Sequence, residues 1–117
     1  MSFDWKEYVY LAEDLLNRGE EACLRSSISR AYYGVYCSAR NKKNYQHYKP
    51  RRGENIHRIV IDSYKNSKNR EEQKIGKNLD QLRRSRNHAD YNEDWPIKKE
   101  YTERAIIVAK QIIASIL

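Results

Sequence analysis

Proline, glycine and cysteine are nearly missing from this chain, and each shortage closes off a class of protein. Two prolines and four glycines among 117 residues exclude a collagen-like chain and give no sign of an extended disordered one. The two cysteines, Cys23 and Cys37, both fall in helical pattern and read as small reduced hydrophobes rather than a disulfide. Only three histidines are present, none at metal-ligand spacing, so neither a metal site nor a cofactor is expected. No apolar run approaches the ~20 residues that span a bilayer. The N-terminal MSFDWKEY lacks a basic region followed by an apolar core. The expectation is therefore a cytoplasmic protein without membrane contact.

What the chain does have is charge. Charged residues make up 33% and the net charge is +7, within a length that suggests one domain over residues 1–117, burying about two thirds of its unfolded surface. From Arg40 to Arg58 stand Arg40, Lys42, Lys43, Lys49, Arg51, Arg52 and Arg58 against one acid, Glu54, so this segment alone supplies +6 of the +7. Tyr45, His47 and Tyr48 are interleaved with the charges. Basic side chains neutralise phosphates and aromatic faces stack on bases, a composition suited to single-stranded RNA or another polyanion. The other reading is a solvated loop that keeps the protein soluble.

Apolar spacing predicts helices throughout and no strand, an all-α up-and-down bundle of four long helices plus one shorter helix. In the first, Ser2 or Asp4 is the cap, Trp5, Tyr8, Val9, Ala12, Leu15 and Leu16 form the face, and Gly19 is the stop. The second, about Glu20 to Arg40, sets a small-residue stripe (Ser27, Ala31, Gly34, Ser38) beside an apolar one (Ile28, Tyr32, Val35, Ala39). Small side chains admit a close neighbour, which places this helix at the centre. After an extended loop with Pro50, a third helix from about Glu54 to Lys65 turns Ile56, Ile59, Val60 and Tyr64 inward, with Ile61 a further candidate. His57 at its start is either a phosphate contact or a plain surface residue. The fourth runs from about Glu71 to Asp90. The fifth starts near Pro96 with Asp94 as its cap. Its two apolar faces, Ile97, Tyr101, Ala105, Val108 and Ile112 on one side and Ile106, Ala109, Ile113 and Ile116 on the other, call for a deep slot or a self-association surface.

One position breaks the apolar pattern. Ile75, Leu79, Leu82, Arg86 and Ala89 form a single stripe of the fourth helix, so a guanidinium points where an oil-like side chain belongs. Arginine does not lose its proton and needs an anion or acceptors when buried. Asp90, four residues on, makes it a structural ion pair; the alternative is a pocket where anions bind. Arg30, on a stripe with Ser26, Tyr33 and Cys37, either reaches the same pocket or pairs with a neighbouring acid.

The segments RSSISRAYYGVYCSAR and LRRSRNHADY resemble the HEPN family, the higher eukaryotes and prokaryotes nucleotide-binding domain. The first resembles its SRAYYA element and the second its R-N-x-x-D-Y element, in the branch of small stand-alone bacterial members. The resemblance implies a helical bundle that forms a homodimer and binds RNA or a nucleotide. It also implies a toxin or phage-defence setting, with a nucleotidyltransferase as partner. Ribonuclease members place an Arg-polar-x(3–5)-His motif from each subunit around one cleft and cleave RNA without a metal, the 2′-hydroxyl attacking the adjacent phosphate.

Carried onto this chain, Arg86 and Asn87 fall on the motif's arginine and polar residue. The histidine belongs at about positions 91 to 93, where Tyr91, Asn92 and Glu93 stand. Arg83 to His88 satisfies the bare spacing, but the Asp90–Tyr91 pair aligns Arg86 with the motif. His88 lies two residues, about 200°, around a helix from Arg86. Either the helix ends near Asn87, or the partner subunit supplies His88, or the chain has no catalytic histidine. The candidate catalytic residues are Arg86, Asn87, His88 and Tyr91, the last as proton donor or modification site, with Arg30, Arg83 and Asp90 in support. The expected functions are a dimeric endoribonuclease, a non-catalytic module binding RNA, nucleotide or a partner, or a structural dimerisation unit.

Overall fold

Ile28, Ala31, Tyr32 and Val35 recur every three or four residues and are wholly buried, which only a helix with neighbours along that side achieves. In the computed structural model, which describes residues 2–116, this helix is α2 (Glu21–Lys42). Before it comes α1 (Lys6–Arg18), and after it α3 (Ile56–Lys65), α4 (Arg70–Tyr91) and α5 (Lys99–Ile116). No strand occurs among the described residues. The architecture is the expected all-α bundle, with α3 as the short helix.

Helix α2 packs against α1, α4 and α5, while α3 rests mainly on α4. The small-residue stripe explains how α1 comes so close. Ser27 Oγ donates to the Ala12 carbonyl at 2.6 Å. A Cβ on Gly34 would sit 3.0 Å from both the Trp5 carbonyl oxygen and a Val9 methyl. Later residues of α2 thus meet earlier residues of α1, the antiparallel pairing that the short link through Gly19 (φ 79°) requires. At the other end of the bundle a Cβ on Gly76 would lie 2.5 Å from the Lys65 backbone nitrogen, so the end of α3 lies on the bare backbone of α4.

Two expectations need correction here. Helix α3 begins at Ile56, capped by Asn55, whose side chain accepts the Arg58 amide. Its buried residues are Val60, Ile61 and Tyr64, while Ile56 and Ile59 are only half-buried. The helix is rolled toward α4, and His57 rides on the same side, three and four residues before Val60 and Ile61.

Helix α5 begins at Lys99, so Pro96 lies outside its first turn, and the Asp94 amide donates to Asn92 Oδ1 instead. The cause is Arg25. Its Nη1 donates to the carbonyls of His88, Ala89 and Asn92 at 3.2, 3.1 and 2.9 Å, and its Nη2 to Trp95 at 2.9 Å. This clasp holds residues 92–95 in a turn and satisfies the orphan carbonyls at the end of α4. The wide apolar surface of α5 is met by α2, α4 and α1, the slot rather than a bare face, although Ile107 remains 54% exposed. Among the described residues no helix is long and apolar enough to cross a membrane.

Candidate functional site

Arg86 is turned inward as its stripe demands, 7% exposed. Its guanidinium lies over the rings of Tyr33, Tyr32 and Tyr91, with the carbon 5.1, 5.4 and 5.9 Å from their centroids. Its one carboxylate neighbour among the described residues, Asp90 Oδ2, is 3.7 Å from Nη1, too long for a hydrogen bond, and that oxygen also accepts from Ser29 Oγ at 3.2 Å. The Nε atoms of both Arg86 and Arg83 are buried without a hydrogen-bond partner. Buried guanidinium donors left open in this way are rare and mark a place where an acceptor belongs.

In front of Arg86 opens a cleft of ≈ 600 Å³ between α1, α2, the start of α3 and the end of α4. Trp5, Tyr8, Tyr33, Tyr36 and Tyr91 supply its aromatic walls, Arg30, Arg40 and His57 its basic groups, and Asp90 its one acid. Arg30 lines this cleft. It lies 4.9 Å over the Tyr8 ring and 5.6 Å from Tyr33, with no ion pair among the described residues. Arg40 sits 5.9 Å over Trp5.

His57 is half-buried in this wall. Its ring stacks on Tyr36 with centroids 4.1 Å apart, and its Nδ1 is 2.7 Å from Tyr32 Oη. Burial, and then the positive fields of Arg83, Arg86 and Arg40, lower its pKa from 6.5 to about 4, so the ring is neutral at physiological pH. Burial raises the Tyr32 phenol and pushes Tyr36 up to about 12; both stay protonated.

Residues 6–117 match the family model of the HEPN domain. The chain belongs to the HEPN family. Membership assigns it a nucleotide- or RNA-related function, and HEPN domains commonly dimerise and bind RNA. No curated protein and no solved structure matches the chain.

The structure divides the α4 residues expected at the site. Arg86, Asp90 and Tyr91 are brought together. Asn87 and His88 are exposed. His88 stacks on Trp95, centroids 5.3 Å apart, where Asn92 Nδ2 is also within 3.3 Å. Because α4 runs unbroken to Tyr91, an end near Asn87 is excluded, and His88 is not aimed at the cleft of its own chain. The histidine that does reach the cleft is His57, from α3. Its sequence signal was present: His57, Val60, Ile61 and Tyr64 form one inward stripe.

The basic segment divides as well. Lys43 pairs with Glu72 at 3.0 Å and lies over Tyr64, and Arg58 is drawn to Asp62 and Asp80 at 3.5 and 3.4 Å. Both hold the fold together. Arg40, Lys42, Lys49, Arg51 and Arg52 have no ion pair among the described residues. The loop that carries most of them is folded by its lone acid: Glu54 Oε1 accepts from Tyr48 Oη at 2.9 Å and from the Arg51 amide at 2.7 Å. It joins the Arg40 wall of the cleft to the His57 wall.

A second cavity of ≈ 360 Å³ lies between α4 and α5, walled by Leu82, Trp95, Tyr101 and Val108 with Arg104 as its one charged residue. None of the predicted site residues faces it. Among the described residues no group of His, Cys, Asp or Glu is placed to hold a metal ion.

Proposed function

We propose that the cleft binds single-stranded RNA or a nucleotide through phosphate, with bases stacking on its aromatic walls. The observation that carries this is the convergence of His57, Arg30 and Arg40 on one opening, with the buried Arg86 and the half-buried Arg83 behind it. The hydrogen bond to Tyr32 supports it further. Tyr32 is wholly buried, and its hydroxyl meets His57 Nδ1 at 2.7 Å. A buried phenol whose proton found no acceptor would lose about 1–3 kcal/mol. The favourable arrangement has Tyr32 donating to Nδ1, which puts the ring proton on Nε2 as a donor for an anion. The exposed Lys42, Lys49, Arg51 and Arg52 extend the positive surface along the loop.

The test is the anisotropy of labelled single-stranded RNA titrated at rising salt. Affinity is expected to fall steeply with salt and to drop on Arg30→Gln and Arg40→Gln. Undetectable binding at low salt, or binding indifferent to both substitutions, overturns the reading.

A second reading, metal-independent cleavage, is favoured by the presence of a histidine beside the motif arginine. His57 takes the place that the family gives to a histidine on α4, Arg86 stabilises phosphate charge, and Tyr91, 77% exposed, is the proton donor. In that step the 2′-hydroxyl loses its proton to His57 and attacks phosphorus. The bond to the 5′-oxygen breaks, and that oxygen takes a proton from Tyr91. It requires the opposite tautomer, with Nε2 free to accept, so nitrogen NMR of His57 separates the two readings. Cleavage in excess chelator that persists in both His57→Ala and Arg86→Ala discards this assignment.

The proposal also takes residues 1–117 as one domain, acting in the cytoplasm as a homodimer. On the family resemblance, a toxin or phage-defence setting with a nucleotidyltransferase partner belongs to it.

A further inference from the structure

The positive charge of the cleft lies unusually deep for a surface that a strand only passes over. Arg86 is 7% exposed and sits behind Tyr33 and Tyr91. Arg83 joins it in presenting a buried, unpartnered Nε. Two guanidinium groups, Arg30 and Arg40, line the opening with the single carboxylate of Asp90, and Arg83 and Arg86 lie behind its wall, close enough that their fields act on His57. A phosphodiester inside a strand carries one negative charge and two free oxygens, and its chain leaves on both sides. It cannot sink below the aromatic rim without pulling both flanks in after it. A terminal phosphomonoester has a chain on one side only, carries about −1.5 to −2 at neutral pH and offers three free oxygens, enough to satisfy several guanidinium donors together.

The geometry points to the phosphorylated end of an RNA strand, rather than its interior, as the ligand of this cleft. The inference rests on the RNA-binding reading above and narrows it. The terminal phosphate lies toward Arg83, Arg86 and the His57 Nε2 proton, and the last base stacks against Tyr33 and Trp5. The cavity of ≈ 600 Å³ is within the range that holds one small ligand rather than a long strand. Burial is the main cause of the lowered pKa of His57, and the fields of Arg83, Arg86 and Arg40 add to it; a bound dianion offsets that second part.

The test compares short 2′-O-methyl oligonucleotides of one sequence, which lack the hydroxyl that cleavage needs. They bear a 5′-monophosphate, a 3′-monophosphate, or hydroxyls at both ends, and are titrated at low salt. One of the phosphorylated forms is expected to bind at least about tenfold more tightly than the hydroxyl form. Inorganic phosphate at matched ionic strength is expected to remove that advantage while leaving the weaker binding in place. Arg86→Gln is expected to remove it too. Should that variant fail to fold by circular dichroism, Arg30→Gln and the phosphate competition with the unaltered protein carry the test. Equal affinity for all three oligonucleotides overturns the inference and leaves RNA binding standing. An advantage that survives both phosphate and the substitution also overturns it, because the phosphate then binds elsewhere. Absence of binding by any of the three overturns the inference and the reading beneath it.

Discussion

At Asp80 the fold encloses a carboxylate and answers it with three cations. At Arg86, on the same helix, it encloses a guanidinium and leaves it one carboxylate 3.7 Å away. Lys65 Nζ and Arg84 Nη2 approach Asp80 Oδ2 at 3.1 and 3.2 Å, and Arg58 Nη2 lies 3.4 Å from Oδ1. Burial presses this carboxyl upward, but the Lys65 hydrogen bond and the charges of Lys65, Arg58 and Arg84 outweigh it and hold the pKa below the usual range. The first cluster is closed and joins α3 to α4. The second is open, short of acceptors and faces a cleft. Burial alone therefore does not distinguish the two charges; the shortfall of partners does, and the proposed site rests on that shortfall.

The largest effect is expected at the point where the closed cluster depends on bare backbone. A methyl at Gly76 meets the Lys65 backbone 2.5 Å away, and backbone cannot swing aside as a side-chain tip does. Gly76→Ala is expected to cost about 3 kcal/mol, the upper end for overpacking, read as a lowered urea midpoint. A change under about 0.5 kcal/mol shows that the contact relaxes and that α3 is not fixed there.

Next comes Asp80→Asn, which removes the anion from three cations that keep some access to water. The expected loss is about 2 kcal/mol, less than for a fully enclosed pair. Arg86→Met is the mirror experiment. Because the guanidinium is poorly satisfied, a volume-filling apolar chain is expected to leave stability within about 1 kcal/mol while RNA affinity drops at least about tenfold. Equal destabilisation by the two substitutions removes the distinction between the clusters.

The smallest effect is a slope. The unfolded chain protonates His57 near pH 6.5, whereas the folded chain resists until about pH 4. Between those values the unfolded state binds more protons, so stability falls as pH drops. His57→Gln is expected to flatten that part of the curve, measured as urea midpoints at pH 7 and pH 5. If the two proteins keep the same difference at both values, the imidazole is not held neutral by the fold.

The α4 half of the cleft was legible because helical periodicity states which side a residue faces. Ile75, Leu79 and Leu82 fix the stripe, and Arg86 interrupts it. The short link at Gly19 and the small residues of α2 announced the α1–α2 pairing in the same way. The α3 half was misread because two inward registers fit the sequence equally well. Ile59 is as apolar as Ile61, and only packing on α4 selects the register that carries His57 to the cleft. The start of α5 was out of reach for another reason. Pro96 and Asp94 obey local rules for a helix start, but a guanidinium more than sixty residues earlier, Arg25, overrides them by binding backbone carbonyls, and a carbonyl leaves no trace in the amino-acid alphabet.

That last contact sets which substitutions the joint between α2 and the α4–α5 turn tolerates. Every amino acid supplies a peptide oxygen, so the hold of Arg25 on the turn asks nothing of the side chain at position 93, while Asn92 keeps a side-chain role of its own by accepting the Asp94 amide. The heavier constraint falls on Arg25: a lysine there, with a single nitrogen in place of two spread ones, cannot span the same row of oxygens.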